Sequence, residues 1–306
     1  MIVQAKGLTK IYNGVNVVNG INLSIEPEDV YGFLGPNGSG KTTVMRMLLG
    51  LIRADGGDIE IFQKPMPRER NKILKRVGAL IEKPAHYEHL NGLDNLKISA
   101  KLYGVEDSKQ LDWAINIVGL RKGIHKKVST YSLGMKQRLG IANALLHKPS
   151  LLLLDEPTNG LDPEGIHEMR ELIRELPKQE GMTILVSSHL LGEIEQIADQ
   201  IGVIYNGNML FQGAKSTLLS NQETNSFIIS SAQIQSIESV FKRKENQINI
   251  NHDSRKGLIL SGKDLTEEKI ELLLIKEGIH DYYIKSTSRS LEDAYIELVH
   301  SFGENS

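Results

Sequence analysis

An α/β core built on a parallel sheet, with a small α+β unit behind it, is the fold class this sequence predicts. Three observations predict it. Short apolar runs alternate with amphipathic helical stretches over about the first 220 residues. A glycine-rich loop joins one of those runs to a helix. After a polar stretch near 214–225, strand and helix candidates continue on a smaller scale.

Length and composition set bounds. With 306 residues the chain can hold a large core and an appended piece. Apolar residues make up 40% and the formal net charge is −2, so no bulk attraction to nucleic acid is expected. The absence of cysteine excludes thiol nucleophiles, disulfides and cysteine-bound zinc. The N-terminal stretch carries no apolar run of signal-peptide length. No uncharged apolar run approaches the roughly 18 residues that span a bilayer.

In chain order, residues 1–34 read mostly as strands. Ile21, Leu23 and Ile25 alternate with polar residues, a Pro-Glu-Asp turn follows, and an apolar run leads into the glycine-rich loop. "KTTVMRMLLGL" reads as a helix, and "GDIEIF" and "VGALI" as strands. Residues 92–147 read as mostly helical, with apolar residues three and four apart, and Trp113 is assigned to the core on such a face. "LLLLD" (151–155) is a fully apolar strand of the kind buried in a parallel sheet. A helix, the strand "MTILVSSH" and another helix complete the α/β part. The segment from 221 on holds ten Lys/Arg and fourteen Asp/Glu, which disfavours a nucleic-acid role for it. The expected domains are 1–220 and 221–306.

"GPNGSGKTT" (35–43) fits the phosphate-loop pattern. Gly35, Gly38 and Gly40 let the backbone curl so that N–H groups around Asn37 and Ser39 face one anion. The helix at Lys41 points its positive end the same way. Lys41 is expected on the β/γ-phosphates of a nucleoside triphosphate and Thr42, followed by Thr43, on Mg²⁺. Asp155 and Glu156 follow the apolar strand, beyond whose end ligands bind. Asp155 suits a Mg²⁺ partner and Glu156, pointing elsewhere, suits a general base. The bland alternatives are a glycine-rich turn and a charged strand end.

Two further stretches narrow the choice. "YSLGMKQRLGIANALL" begins about 24 residues before Asp155 and resembles the signature motif of ABC-type ATPases. Ser132 and Gly134 keep its two key positions, and Gln137 and Arg138 follow. His189 in "VSSHLLGEIE" matches that family's switch histidine, "NGLD" its D-loop, and Tyr12 in "LTKIYNG" its adenine-stacking aromatic. The resemblance covers residues 1–220. It implies a P-loop ABC ATPase: a RecA-like core, an N-terminal antiparallel β arm and an inserted helical subdomain at about 84–148. It further implies that Tyr12 stacks on adenine, that Ser132 and Gly134 touch the ATP of a second protomer, and that Asp162 carries information across the dimer. His189 would hold the γ-phosphate and the attacking water in line. The chain would then hydrolyse ATP with Mg²⁺, form a homodimer through an ATP sandwich, and drive a separate permease from the cytoplasmic face of the membrane.

Two positions depart from the family pattern. The signature reads Tyr-Ser-Leu-Gly-Met, with Met135 where the family has glutamine. Glu82 stands in the place of the Q-loop glutamine, 41 residues after Lys41. A carboxylate there is a stronger Mg²⁺ ligand than an amide and repels phosphate, so Glu82 is a candidate for both the metal and the catalytic set. Glu at this place, the "SLEDAYIELV" tail and the overall length resemble bacitracin-resistance and lantibiotic self-protection ATPases, which implies export of a peptide antibiotic. "HYEH" (His86 to His89) has some metal-like spacing but no further ligands. A translation ATPase would carry two ATPase units where this chain has one. A DNA-repair ATPase would place a very long coiled coil between the two ATP motifs, where only about 110 residues separate Lys41 from Asp155. A kinase or GTPase would lack the Ser132 region and His189. An ABC ATPase of another exporter, or a regulatory one, remains the alternative.

Overall fold

A computed structural model describes residues 1–82, 84–220, 225–244, 248–253, 257–262, 265–287 and 290–304. By packing, the chain divides into Met1–Lys215 with Leu298–Ser306, and Ser216–Glu297. The border that the sequence places at 220/221 abuts residues 221–224, which lie outside the described residues.

The first unit runs β1 (Val3–Tyr12), β2 (Val15–Ile25), β3 (Val30–Leu34), α1 (Lys41–Leu48), β4 (Gly56–Ile61), β5 (Lys64–Met66), α2 (Arg70–Leu74) and β6 (Val77–Leu80). It continues with α3 (Gly92–Tyr103), α4 (Ser108–Ile117), α5 (Leu133–Leu145), β7 (Leu151–Asp155), α6 (Pro163–Glu180), β8 (Thr183–Ser188), α7 (Leu191–Ile197), β9 (Gln200–Tyr205) and β10 (Asn208–Ala214). α8 (Lys215–Ser220) crosses the division.

Two sheets organise this unit. β2-β1-β4-β5 form an antiparallel arm, and β10-β9-β3-β8-β7-β6 form the main sheet. Pairings β9–β3, β3–β8, β8–β7 and β7–β6 are parallel, and β10 adds an antiparallel edge. β3, β7 and β8 are buried along their whole length, which explains the apolar runs Val30–Leu34, Leu151–Leu154 and Ile184–Val186 within them. One apolar cluster joins Val3, Leu8 and Ile25 of the arm to Val44, Met45 and Leu48 of α1 and to Leu151, Leu153 and Leu185 of the main sheet. Residues 200–213 received no assignment from the sequence and lie in the β9–β10 hairpin.

α3, α4 and α5 lie between β6 and β7 in the chain, so the helical insertion and the arm take the form that the family resemblance implies. Local signals set their ends. Asn91 caps α3, accepting from the Asp94 N–H, and Gly104 closes it in the left-handed conformation. Asp162 caps α6, whose first residue is Pro163, and Gly181 ends it. The core assignment of Trp113 needs correction: the ring is only half-buried, and its N–H donates to Glu180 Oε1 at 2.9 Å. The indole is amphipathic, so an apolar helical stripe does not separate a core tryptophan from a rim one.

The second unit runs β11 (Asn225–Ser230), α9 (Ile234–Lys244), β12 (Asn249–Asp253), β13 (Gly257–Gly262), α10 (Glu267–Lys276) and β14 (Tyr283–Thr287), followed by α11 (Leu291–Glu304), which crosses the division. Its sheet order is β12-β13-β11-β14, antiparallel throughout. This is a βαββαβ, ferredoxin-like arrangement. Phe227, Ile229, Leu258 and Leu260 form a core with Ile237 and Phe241 of α9 and Ile270 and Leu274 of α10. Ile228 and Ile259, pointing the other way along their strands, are half-buried.

Candidate functional site

The ends of β3, β7 and β8 lie side by side in the main sheet, and the loops after them carry most of the expected site. β3 delivers the phosphate loop at Gly35. A Cβ there would lie 2.3 Å from the Ile204 carbonyl oxygen and 2.6 Å from Ser39 Oγ, so no side chain fits. Gly40, at φ +108, turns the chain into α1, and a Cβ on it would lie 2.8 Å from the Val17 carbonyl oxygen of the arm. Asn37 and Gly38 are exposed at the crest. The Ser39 hydroxyl is buried without a partner among the described residues. An orphaned donor at the mouth of a ring of N–H groups suits a polyphosphate.

Lys41 opens α1 and is 5% exposed. Its ammonium donates to the Gly35 carbonyl at 2.7 Å and lies 3.3 Å from Glu156 Oε1. Thr42, the next residue, donates its hydroxyl to Asp155 Oδ2 at 2.7 Å. The other Asp155 oxygen accepts from Ser187 at 2.5 Å, and the Ser187 hydroxyl in turn accepts the Glu156 N–H at 3.0 Å. One hydroxyl and one carboxylate therefore converge at the strand ends. Hard oxygen donors in so small a number fit Mg²⁺. Among the described residues no group of three or more His, Asp or Glu forms a metal cage, and that includes the "HYEH" stretch. His86 instead donates to the Lys136 carbonyl at 3.0 Å, and burial lowers its pKa; Glu88 pairs with Lys136 at 2.6 Å.

Glu156 sits at φ +50, in the left-handed region that costs a side-chain-bearing residue about 1–3 kcal/mol. This backbone turns its carboxylate away from Asp155. One oxygen faces Lys41, and the other lies 2.5 Å from His189 Nδ1. A carboxylate only accepts, so the shared hydrogen belongs to the imidazole. Lys41, Glu156 and His189 thus form a chain across the ends of β3, β7 and β8.

Other expected residues lie apart from this chain. Ser132 caps α5, accepting from the Met135 N–H at 3.2 Å, and lines one pocket with Leu133, Gly134, Gly160, Leu161 and Asp162. Asp162 accepts from the Gly165 N–H at 2.9 Å. The signature and D-loop residues therefore form a second cluster. Tyr12 pairs with Val15 at the hairpin end of the arm, 44% exposed, with the Lys10 ammonium 5.1 Å from its ring centroid. Thr43 is half-buried on α1.

Glu82 follows β6 at φ +64, exposed, and pairs with Arg46. Arg46 is one turn beyond Thr42 on α1 and so shares its face. Glu82 thus lies along the helix that carries the Thr42 hydroxyl, paired with a guanidinium. Arg46, Ser187, Thr158 and Glu193 were not anticipated from the sequence. Of the two serines before His189, Ser187 is the one that holds the acid pair.

A family model described as "ABC transporter" matches residues 18–159. One described as "AAA domain, putative AbiEii toxin, Type IV TA system" matches residues 127–195. The bacitracin transport ATP-binding protein BcrA of Bacillus licheniformis is 41% identical over 299 residues, 97% of each chain. The lantibiotic transport ATP-binding protein SrtF of Streptococcus pyogenes is 44% identical over 211 residues, 69% of this chain and 90% of its own. The structure of cbiO1 from Clostridium perfringens, part of the ABC transporter complex cbiONQ, superposes with a TM-score of 0.65 at 26% identity. That match covers 79% of this chain and 95% of the other.

Proposed function

Because the chain belongs to the ATP-binding proteins of ABC transporters and is an ATP hydrolase of that type, we propose that it energises a separate membrane permease that exports a peptide antibiotic, or protects against one, of the bacitracin or lantibiotic kind. The observation that carries the catalytic part is the Lys41–Glu156–His189 chain beside the Thr42–Asp155 contact. For the substrate class, the support is the match to BcrA along 97% of both chains, which takes in the C-terminal unit. SrtF matches a stretch of about ATPase-unit length.

The roles follow from chemistry. N–H groups from Gly35 to Lys41 surround the phosphates, with Asn37, Ser39 and Thr43 completing the cradle and the Lys41 ammonium neutralising charge. Thr42 and Asp155 would hold Mg²⁺, which would supply positive charge against the phosphates. Glu156 accepts a proton from water as it attacks the γ-phosphorus, the bond to the β-phosphate breaks, and ADP leaves. His189 fixes the Glu156 carboxylate and the position of the γ-phosphate. Tyr12 offers its ring to adenine. Ser132, Gly134 and Asp162, clustered away from the phosphate loop, face the ATP of a second copy, so the working form is a homodimer. Among the described residues no helix is long and apolar enough to cross a membrane, and the proposed place of the dimer is against the permease at the cytoplasmic face.

Glu82 is the residue through which coupling departs from hydrolysis. Its carboxylate is held by Arg46 one turn along α1 from Thr42, and the loop it opens would contact the permease. Glu82→Gln should leave ATP affinity and ATPase rate close to the parent and change antibiotic resistance in cells. Nucleotide affinity, read by a fluorescent ATP analogue, checks this: collapse of binding would make Glu82 an essential ligand and remove the coupling role.

A further inference from the structure

Glu193 is a carboxylate, 4% exposed, to which neither the family pattern in the sequence nor the hydrolytic scheme gives a role. It stands in α7, just beyond His189. Its Oε2 accepts two hydroxyls: Thr158 Oγ1 at 2.5 Å and Ser188 Oγ at 3.2 Å. Both donors are buried, at 5% and 2% exposure. The Thr158 distance is that of a charge-assisted O–H···O⁻ bond, about twice as strong as a neutral one. Its second oxygen is buried with no partner among the described residues. So costly a placement needs a reason.

The two donors supply one. Thr158 is two residues past Glu156, and Ser188 is the residue before His189. The Ser188 hydroxyl also accepts the Leu190 N–H at 3.0 Å, so the backbone on both sides of His189 is tied to it. The Glu156–His189 contact closes a ring that runs from Glu156 through Thr158, Glu193 and Ser188 to His189 and back. Without Glu193, the side-chain hydrogen bonds left between these two loops among the described residues would be the Glu156–His189 pair and the Ser187 bridge one residue earlier on β8. Glu156 also holds a left-handed backbone, which persists only where its surroundings fix it.

We propose that Glu193 is a positioning residue for hydrolysis. It locks the loop carrying Glu156 to the loop carrying His189, so that base and histidine keep one geometry toward the γ-phosphate. It touches neither substrate nor metal and acts only through Thr158 and Ser188. This rests on the assignment of Glu156 and His189 as the hydrolytic pair.

The test uses the full chain, with steady-state ATPase kinetics, affinity for a fluorescent ATP analogue and thermal midpoint for each variant. Glu193→Ala should lower kcat about tenfold or more, as misplacement of a reacting group does, with KM and nucleotide affinity within about twofold. Glu193→Gln keeps an acceptor oxygen for both hydroxyls and should return kcat to within about threefold of the parent. Thr158→Val should lower kcat, and adding it to Glu193→Ala should lower it little further, because both cut the same tie. A Glu193→Ala rate equal to the parent's, or a loss that Glu193→Gln does not recover, overturns the proposal. If Glu193→Ala fails to fold, Thr158→Val decides alone, and a parental kcat there overturns it. Glu156→Gln is run in parallel: if it hydrolyses ATP normally, the hydrolytic assignment has failed, which is a different result from an inactive Glu156→Gln beside an unaffected Glu193→Ala.

Discussion

Glu156→Gln is expected to bind ATP, stop hydrolysing it, and accumulate as an ATP-bound dimer. The substitution preserves size and one acceptor oxygen, so the His189 Nδ1 contact, 2.5 Å in the parent, can persist. The amide cannot take a proton from water, and loss of a general base costs about 10²–10⁴ in rate. Binding should survive, because the Lys41 contacts to the Gly35 carbonyl and the Thr42–Asp155 contact do not involve Glu156. Removing the carboxylate 3.3 Å from the Lys41 ammonium also frees that charge for phosphate. Single-turnover ATPase with size-exclusion chromatography in ATP checks both halves. Hydrolysis at the parent rate would remove Glu156 from the base role.

Lys41→Ala is expected to do the opposite and weaken nucleotide binding. Lys41 is buried at the head of α1 and aims three N–H donors into the loop. A charge-assisted hydrogen bond contributes about 1.5–3 kcal/mol, so losing one to phosphate weakens affinity by about one to two orders of magnitude. The truncation also leaves Glu156 without its cation, placing an unopposed carboxylate where the phosphates must lie. Titration with a fluorescent ATP analogue reads the loss directly. Unchanged affinity in a folded Lys41→Ala chain would show that the loop backbone alone holds the phosphates.

Much of the α/β frame was legible because its strands carry two kinds of sequence signal. β3, β7 and β8 are buried on both faces and carry short apolar runs, broken in β8 by its terminal serines, and each leads to residues with chemistry: Gly35, Asp155 and Glu156, or His189. β10 escaped because "NMLFQGA" lies half-buried at the sheet edge, where the pattern blurs; β9, buried from Ile201 to Ile204, carries a short apolar run that stayed unassigned. In the C-terminal unit the individual strands could be picked out. Their order β12-β13-β11-β14 could not, because nearest neighbours in that sheet are not nearest in sequence, β12 and β13 excepted.

At the site, local motifs announced the residues that face a ligand and hid those that hold them. The phosphate loop and acid pair have fixed spacing, so Lys41, Thr42, Asp155 and Glu156 could be named. Ser187 meets Asp155 across 32 positions and Thr158 meets Glu193 across 35, distances over which a sequence motif carries no information. Arg46 is an ordinary helix residue until the fold brings Glu82, 36 positions away, beside it.

The central claim is that ATP hydrolysis by this chain drives protection against a peptide antibiotic. The measurement that tests it most directly is a sensitivity panel in a strain lacking the chain, complemented with the parent or with Glu156→Gln. The panel sets bacitracin and lantibiotics beside antibiotics of unrelated chemistry. The predicted result is greater sensitivity to one of the peptides, restored by the parent and not by Glu156→Gln, with the unrelated compounds unaffected. Unchanged sensitivity to every peptide, or rescue by Glu156→Gln as complete as by the parent, would contradict it.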